Sequence, residues 1–466
     1  MAKGDSVSVE PAIITVSNKE TKRMAQDKIS TKNGLLALSP IVVFLGLYVG
    51  VSALIGDFYK MPLSIAFIVA SMWALLTMPR MKITERIEIF STGAANTNIL
   101  YMIWIFILAG AFSALASGVG SIDAAVSLSL WVLPEWFLLP GLFITTCFIS
   151  MSIGTSVGTI VALTPFAAQI AEMTGGDTAF YVAVVLGGSF FGDNLSFISD
   201  TTIAATRTQK LKMNDKFKAN IKIALPAALM VIVYYFVVGS SASAIPMKAP
   251  SADWYLILPY LIVIVTAMAG VNVLLVLTLG ILSCIILALT THNTGIMDMC
   301  SMMGDGIKGM SDLIIVTLLA AGLLEVISYN GGIKFIITAL TRRIHGSRGA
   351  QASIAALVSI VNVCTANNTI AIITVGKIAK SISGEFNIDP RKTASLLDTC
   401  SCIIQCIIPY GAQTLLAAGL AKLSPVSFLP YLYYAWALAL MVVISILFNF
   451  PRGTKTETEA EVAKAR

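Results

Sequence analysis

From Ile87 to Thr206 the 466-residue chain contains neither Lys nor Arg. The same stretch carries acids at Glu88, Asp123, Glu135, Glu172, Asp177, Asp193 and Asp200. A run this long without a cation cannot coat a water-soluble domain. The whole chain agrees, with 57% hydrophobic and 12% charged residues, where a soluble domain carries about 25% charged. A soluble enzyme, a disordered chain, a disulfide-rich secreted module and a nucleic-acid binder are excluded, and a polytopic membrane protein remains. The net charge of +6 sits in the tails and short loops, where it reports orientation in a bilayer.

Apolar runs of spanning length lie near 36–55, 62–79, 98–117, 136–153, 219–239, 254–268, 271–291, 312–328, 351–363 and 429–450. Between 154 and 206, and between 364 and 428, the chain stays apolar but is interrupted by Gly, Ser, Thr, Asn, Asp and Pro. This predicts an all-α protein of about 10–13 passes, some broken. The segments expected are a polar N-terminal arm (1–34), a first transmembrane repeat (35–240), a second (250–450) and a charged tail (451–466). Basic loops at 79–86, 207–222 (Lys216 among them) and 342–348, and both tails, are expected to face the cytoplasm by the positive-inside rule. The N-terminal arm has no apolar signal-peptide core. Seven Cys, an odd number in apolar settings, argue against a disulfide framework. The Cys400, Cys402, Cys406 group reads as soft helix-core residues.

A weak repeat is visible. Thr155, Thr159 and Thr164 match Thr365, Thr369 and Thr374 at a shift of 210, and Asp177 matches Asp389 at 212. Interrupted hydrophobic segments at matching places point to a transporter's binding site.

A charge at the bilayer centre costs about 2.5–3.5 kcal/mol, so the embedded acids Asp193, Asp200, Asp398 and Glu325 need a partner, a proton or an ion. No Lys or Arg follows Asp193 or Asp200 until Arg207. A lone carboxylate there can hold a proton part of the time and trade it for a small cation. On an unbroken helix Asp193 and Asp200 would lie about 10.5 Å apart along the axis, too far to share one Na+. Unwinding around Gly192-Asp193-Asn194 would gather oxygens from Asn194, Ser196, Ser199 and Thr201 as well, and hard cations take several. Gly154, Thr155, Ser156, Gly158 and Thr159 mark a tight bend, which either lines a cavity or packs helices closely. Thr365, Asn367, Asn368 and Thr369 form the corresponding polar cluster in the second half. Gln413, after Pro409-Tyr410-Gly411, fits another broken helix, with Asp398 as the partner acid.

The run Gly188-Ser-Phe-Phe-Gly192-Asp193-Asn-Leu-Ser196-Phe-Ile-Ser199-Asp200-Thr201-Thr202 resembles the G-D-x-x-S-P-x-S-D-T signature of NhaC-type Na+/H+ antiporters, a branch of the ion transporter superfamily. Gly154-Thr-Ser-Val-Gly-Thr159 resembles their upstream G-T-S-x-G-T. Phe197 stands where the family often has Pro, and Val157 where an aromatic is often seen. The resemblance implies two inverted repeats with broken helices meeting near the midplane of the plasma (inner) membrane. It also implies Na+/H+ exchange at Asp193 and Asp200, driven by ion gradients. No enzyme activity and no cofactor are expected, and no Walker-type phosphate loop is present. The expected partners are the lipid bilayer, Na+ and H+. Homodimerisation is common for such transporters, and nothing in the sequence requires it. An alternative is a Na+-coupled symporter or exchanger of an amino acid or organic acid. A remote one is an intramembrane aspartyl protease, for which Phe190-Phe191-Gly192-Asp193 lacks the first glycine of Gly-x-Gly-Asp, three residues before the acid.

Overall fold

The computed structural model describes residues 31–55, 61–79, 81–239, 254–291, 294–341 and 344–451. The N-terminal arm up to residue 30, the tail from 452, and Arg80, Arg342 and Arg343 lie outside the described residues. The first half comprises α1 (Thr31–Ile55), α2 (Leu63–Leu76), α3 (Ile83–Ala94), α4 (Thr97–Gly118), α5 (Ser121–Val132), α6 (Glu135–Ile153), α7 (Ser156–Thr174), α8 (Thr178–Leu195), α9 (Asp200–Gln209) and α10 (Met213–Gly239). The second comprises α11 (Leu258–Met268), α12 (Val273–Thr291), α13 (Ile296–Gly309), α14 (Ser311–Tyr329), α15 (Gly332–Thr341), α16 (Gly346–Thr365), α17 (Asn368–Glu385), α18 (Pro390–Ile407), α19 (Ala412–Ala421) and α20 (Tyr433–Leu447). Among the described residues, nine helices are long and apolar enough to cross a bilayer, or ten if the bent pair Pro425–Tyr431 and Tyr433–Leu447 is one span. This is a multi-pass membrane protein. Exposed apolar side chains recur at helical spacing on α10, at Leu225, Leu229, Val233 and Val237, as a lipid-facing stripe requires.

The halves repeat in register. Left-handed residues close helices at Gly154 and Ala366, Gly175 and Asn387, and Lys210 and Lys422; 366 − 154, 387 − 175 and 422 − 210 are each 212. Asp177 caps α8 by accepting from the Ala179 amide, and Asp389 caps α18 by accepting from that of Arg391. Ser150 donates to the Ser189 carbonyl at 2.6 Å, and Asn362 to the Ser401 carbonyl at 2.8 Å, again at a shift of 212. The acids therefore marked the true register. The threonine match at 210 is two residues out, and Thr155 stands opposite Asn367 as the residue before a helix start.

The centre is built from α8 and α18, which touch each other and are buried almost throughout their inner turns. Around them the short helices cross over, α9 packing on α17 and α19 on α7. Each half thus places its second broken helix against the first broken helix of the other.

Candidate functional site

Four chain breaks meet at one cavity of about 710 Å³. They separate α6 from α7, α8 from α9, α16 from α17 and α18 from α19. The starts of α7, α9, α17 and α19 line it through Ser156, Asp200, Asn368 and Gln413. Gly154 ends α6 at φ +76°, the left-handed conformation glycine favours. Broken helices offer N–H groups at one end and carbonyls at the other, so such a cavity can hold ions of either sign.

Asp193 is 6% exposed. Its carboxylate accepts from Ser199 Oγ at 2.5 Å and from Ser156 Oγ at 3.0 Å. Ser199 Oγ also lies 2.9 Å from Thr201 Oγ1. Because Ser156 spends its proton on Asp193, its oxygen is left to accept from Gln413 Nε2, at 3.2 Å. Gln405 Nε2 in turn donates to Gln413 Oε1 at 2.9 Å and to the Ala366 carbonyl at 3.0 Å. A chain of hydrogen bonds thus runs from the carboxylate of the first half to the backbone break of the second.

The expected unwinding at Gly192-Asp193-Asn194 is not what folds. These residues form the last turn of α8, and the break comes at Ser196–Ser199, where the backbone turns extended. Gly192 serves close packing instead: a Cβ there would collide with the Ser150 side chain and lie 2.5 Å from the Met151 nitrogen.

Behind the cavity lies a second polar cluster. Lys216, on the first turn of α10, is ion-paired with Asp398, and the two side chains are 1% and 0% exposed. Its ammonium also donates to the Asn194 carbonyl and to Thr202 Oγ1. Asn220 donates to Asn194 Oδ1 at 2.9 Å, and Asn194 to Thr399 Oγ1 at 3.3 Å. The last turn of α8 is thereby pinned to α9, α10 and α18.

The sequence profile of the Na+/H+ antiporter family matches residues 12–240 and 224–450. The chain belongs to the Na+/H+ antiporter family. It is 25% identical to the Na(+)/H(+) antiporter NhaC of Bacillus subtilis over 354 residues, covering 68% of this chain and 76% of that one. It is 26% identical to the NhaC of Alkalihalophilus pseudofirmus over 381 residues, covering 75% and 81%. It is 21% identical to the malate-2H(+)/Na(+)-lactate antiporter of B. subtilis over 457 residues, covering 91% and 97%. Among solved structures, the Alcanivorax borkumensis YdaH transporter aligns at 13% identity and a TM-score of 0.38, covering 91% of this chain and all of that one.

In this antiporter-family chain the candidate residues separate into four groups. Asp193, Asp200, Thr201, Gly154, Thr155, Ser156, Thr365, Asn367, Asn368, Thr369 and Gln413 line the cavity. Ser199 reaches it through Asp193. Asn194, Ser196 and Asp398 face away: Ser196 donates to the Met151 carbonyl, and Asn194 and Asp398 belong to the Lys216 cluster. Gly158 and Thr159 lie inside α7, where Thr159 bonds back to the Thr155 carbonyl. Lys216 corrects two expectations, since it is buried rather than in a solvated loop, and it neutralises Asp398. Gln405, also on the cavity wall, carries no charge to single it out. At 405 − 193 = 212 it is the counterpart of Asp193, a signal the 210 register hid. Among the described residues, the cavity wall includes the carboxylates of Asp193, Asp200 and Glu325 and no Lys, Arg or His.

Proposed function

We propose that the protein is a secondary active transporter of the plasma (inner) membrane that exchanges Na+ for H+, with both termini in the cytoplasm. One observation carries the reading: three carboxylates line a cavity at the crossing of four helix breaks, with no cationic side chain among them in the described residues. Such a wall draws in small cations and protons and repels anions. Asp193 is the exchanging group. Its carboxylate takes either a proton or Na+, and Ser156, Ser199 and helix-end carbonyls complete the oxygen shell a hard cation needs. One acid that holds one or the other links the two fluxes, and the gradients supply the driving force without a cofactor or bond-making chemistry. Same-side termini require an even number of crossings.

A second reading is Na+-coupled carriage of an organic acid. It is favoured by the Asn368 Nδ2 donor, which is buried without a partner at the start of α17 beside the cavity. Everted vesicles carrying a pH-sensitive dye separate the two. Antiport gives Na+-dependent dequenching, lost in Asp193→Asn although the variant inserts normally. Absence of Na+- or Li+-driven proton movement by the wild type, with uptake of labelled lactate or malate in its place, would reverse the order.

A further inference from the structure

Among the described residues of the second half, three buried amide oxygens have no hydrogen-bond partner, Gln351 Oε1, Asn362 Oδ1 and Gln405 Oε1; the last two, 0% and 1% exposed by residue, flank one helix break. Their assignment is not ambiguous. Gln405 Nε2 donates to the Ala366 carbonyl and Asn362 Nδ2 to that of Ser401. A carbonyl can only accept, so in each amide the nitrogen is the bonded end and the oxygen is the idle one. A buried acceptor left idle costs about 1–3 kcal/mol, and two of them bracket one backbone turn. That turn is Ala366, whose amide bonds to the Asn362 carbonyl and whose carbonyl is held by Gln405. Ala366 is itself in the left-handed region at φ +47°, where a side chain is strained, whereas the first half uses Gly154 there. Strain and idle acceptors thus coincide at the break of the second half, where Thr365 lines the cavity and its hydroxyl donates to the Asn367 carbonyl at 3.1 Å.

The nitrogens of these two amides are already engaged, so their oxygens can take only a donor or a cation, and one dehydrated hard cation satisfies several such oxygens at once. The last carbonyls of α16 and the negative end of its dipole point the same way. Gln405 stands in register with Asp193, so an amide here occupies the place of the carboxylate there. We propose that Gln405 Oε1 anchors a second, charge-neutral subsite for a monovalent hard cation, Na+ or Li+, at the second-half break, with Asn362 and Thr365 as further oxygen sources. The proposal rests on the antiport reading for the identity of the ion. The hydrogen-bond chain through Gln413 and Ser156 would let occupancy of the neutral subsite stiffen the donor set around Asp193.

The test is equilibrium binding of radioactive Na+ to the purified full chain in detergent, with choline replacing Na+. In the wild type the binding curve is expected to be sigmoidal, with a Hill coefficient approaching about 2, the limit set by two sites. Gln405→Leu should bring it to about 1 and raise the half-saturating Na+ about tenfold. Asp193→Asn should lose one bound Na+ and keep the other, and the double variant should bind none. The Na+ that Gln405→Leu still holds at Asp193 shows that the variant is folded; should it fail to fold, Asn362→Ser probes the same subsite from the other amide. One Na+ per wild-type chain, abolished by Asp193→Asn alone, overturns the subsite while leaving antiport intact. No bound Na+ in the wild type overturns both.

Discussion

Lys216 and Asp398 form an ion pair that is all but sealed from solvent, and neither residue lines the cavity. The pair joins α10 to α18, and the same ammonium clamps the carbonyl of Asn194, the residue after Asp193. Breaking such a pair by removing one partner leaves a bare buried charge and costs about 3–5 kcal/mol. Lys216→Met and Asp398→Leu should each lower the thermal midpoint sharply. The double variant should recover more than half of the loss, since an apolar pair carries no desolvation penalty. Thermal unfolding in detergent of all four proteins checks this. If the double variant is as unstable as the sum of the singles, the pair is not the unit described here.

Much of the cavity was legible because polar residues are scarce in this chain. Asp193, Thr155-Ser156, Asn367-Asn368 and Gln413 stand out of apolar runs, and burying them unpaired would be costly. Lys216 was hidden for the opposite reason. It sits among Lys210, Lys212, Lys218 and Lys222, and only tertiary packing distinguishes the one that turns inward. Gln405 carries no charge and lies between cysteines and isoleucines. Its place emerges once the Asp177–Asp389 register replaces that of the threonines. The helix break fell at Ser196–Ser199 and not at Gly192 because glycine there answers a packing demand from Ser150 and Met151.

Ser199 supplies both a donor to Asp193 and an oxygen for a bound ion. A hydrogen bond to a charged group is worth about 1.5–3 kcal/mol. Ser199→Ala should therefore raise the half-saturating Na+ for exchange about tenfold or more. Ser199→Thr keeps the hydroxyl and should stay near wild type. Na+ titration of dye dequenching in vesicles reads both. Equal losses in the two variants would mean that bulk at the break, not the hydroxyl, matters.

Gly192 lets α8 approach α6 to contact distance. A methyl there meets the Ser150 side chain and the Met151 backbone nitrogen, and overpacking typically costs about 1–3 kcal/mol. Gly192→Ala should cut the amount of folded protein in the membrane and lower its thermal midpoint. Ser150→Gly should not rescue it, because the Met151 nitrogen remains 2.5 Å from the new carbon. Fluorescence size-exclusion of detergent extracts reports folded yield. Full rescue by Ser150→Gly would show that the side chain alone sets the limit.

Glu325 lines the same cavity as Asp193 and Asp200 and is only partly buried, on α14. Its negative charge adds to the field that concentrates cations in the cavity, without taking part in the hydrogen bonds around Asp193. Field effects of this kind are screened over about 30 Å at 0.01 M salt and about 8 Å at 0.15 M. Glu325→Gln should therefore raise the half-saturating Na+ several-fold at low ionic strength. The difference should fade as choline chloride is added, whereas the maximal exchange rate stays unchanged. A loss of maximal rate that salt does not alter would instead place Glu325 among the groups that hold the transported ion or proton.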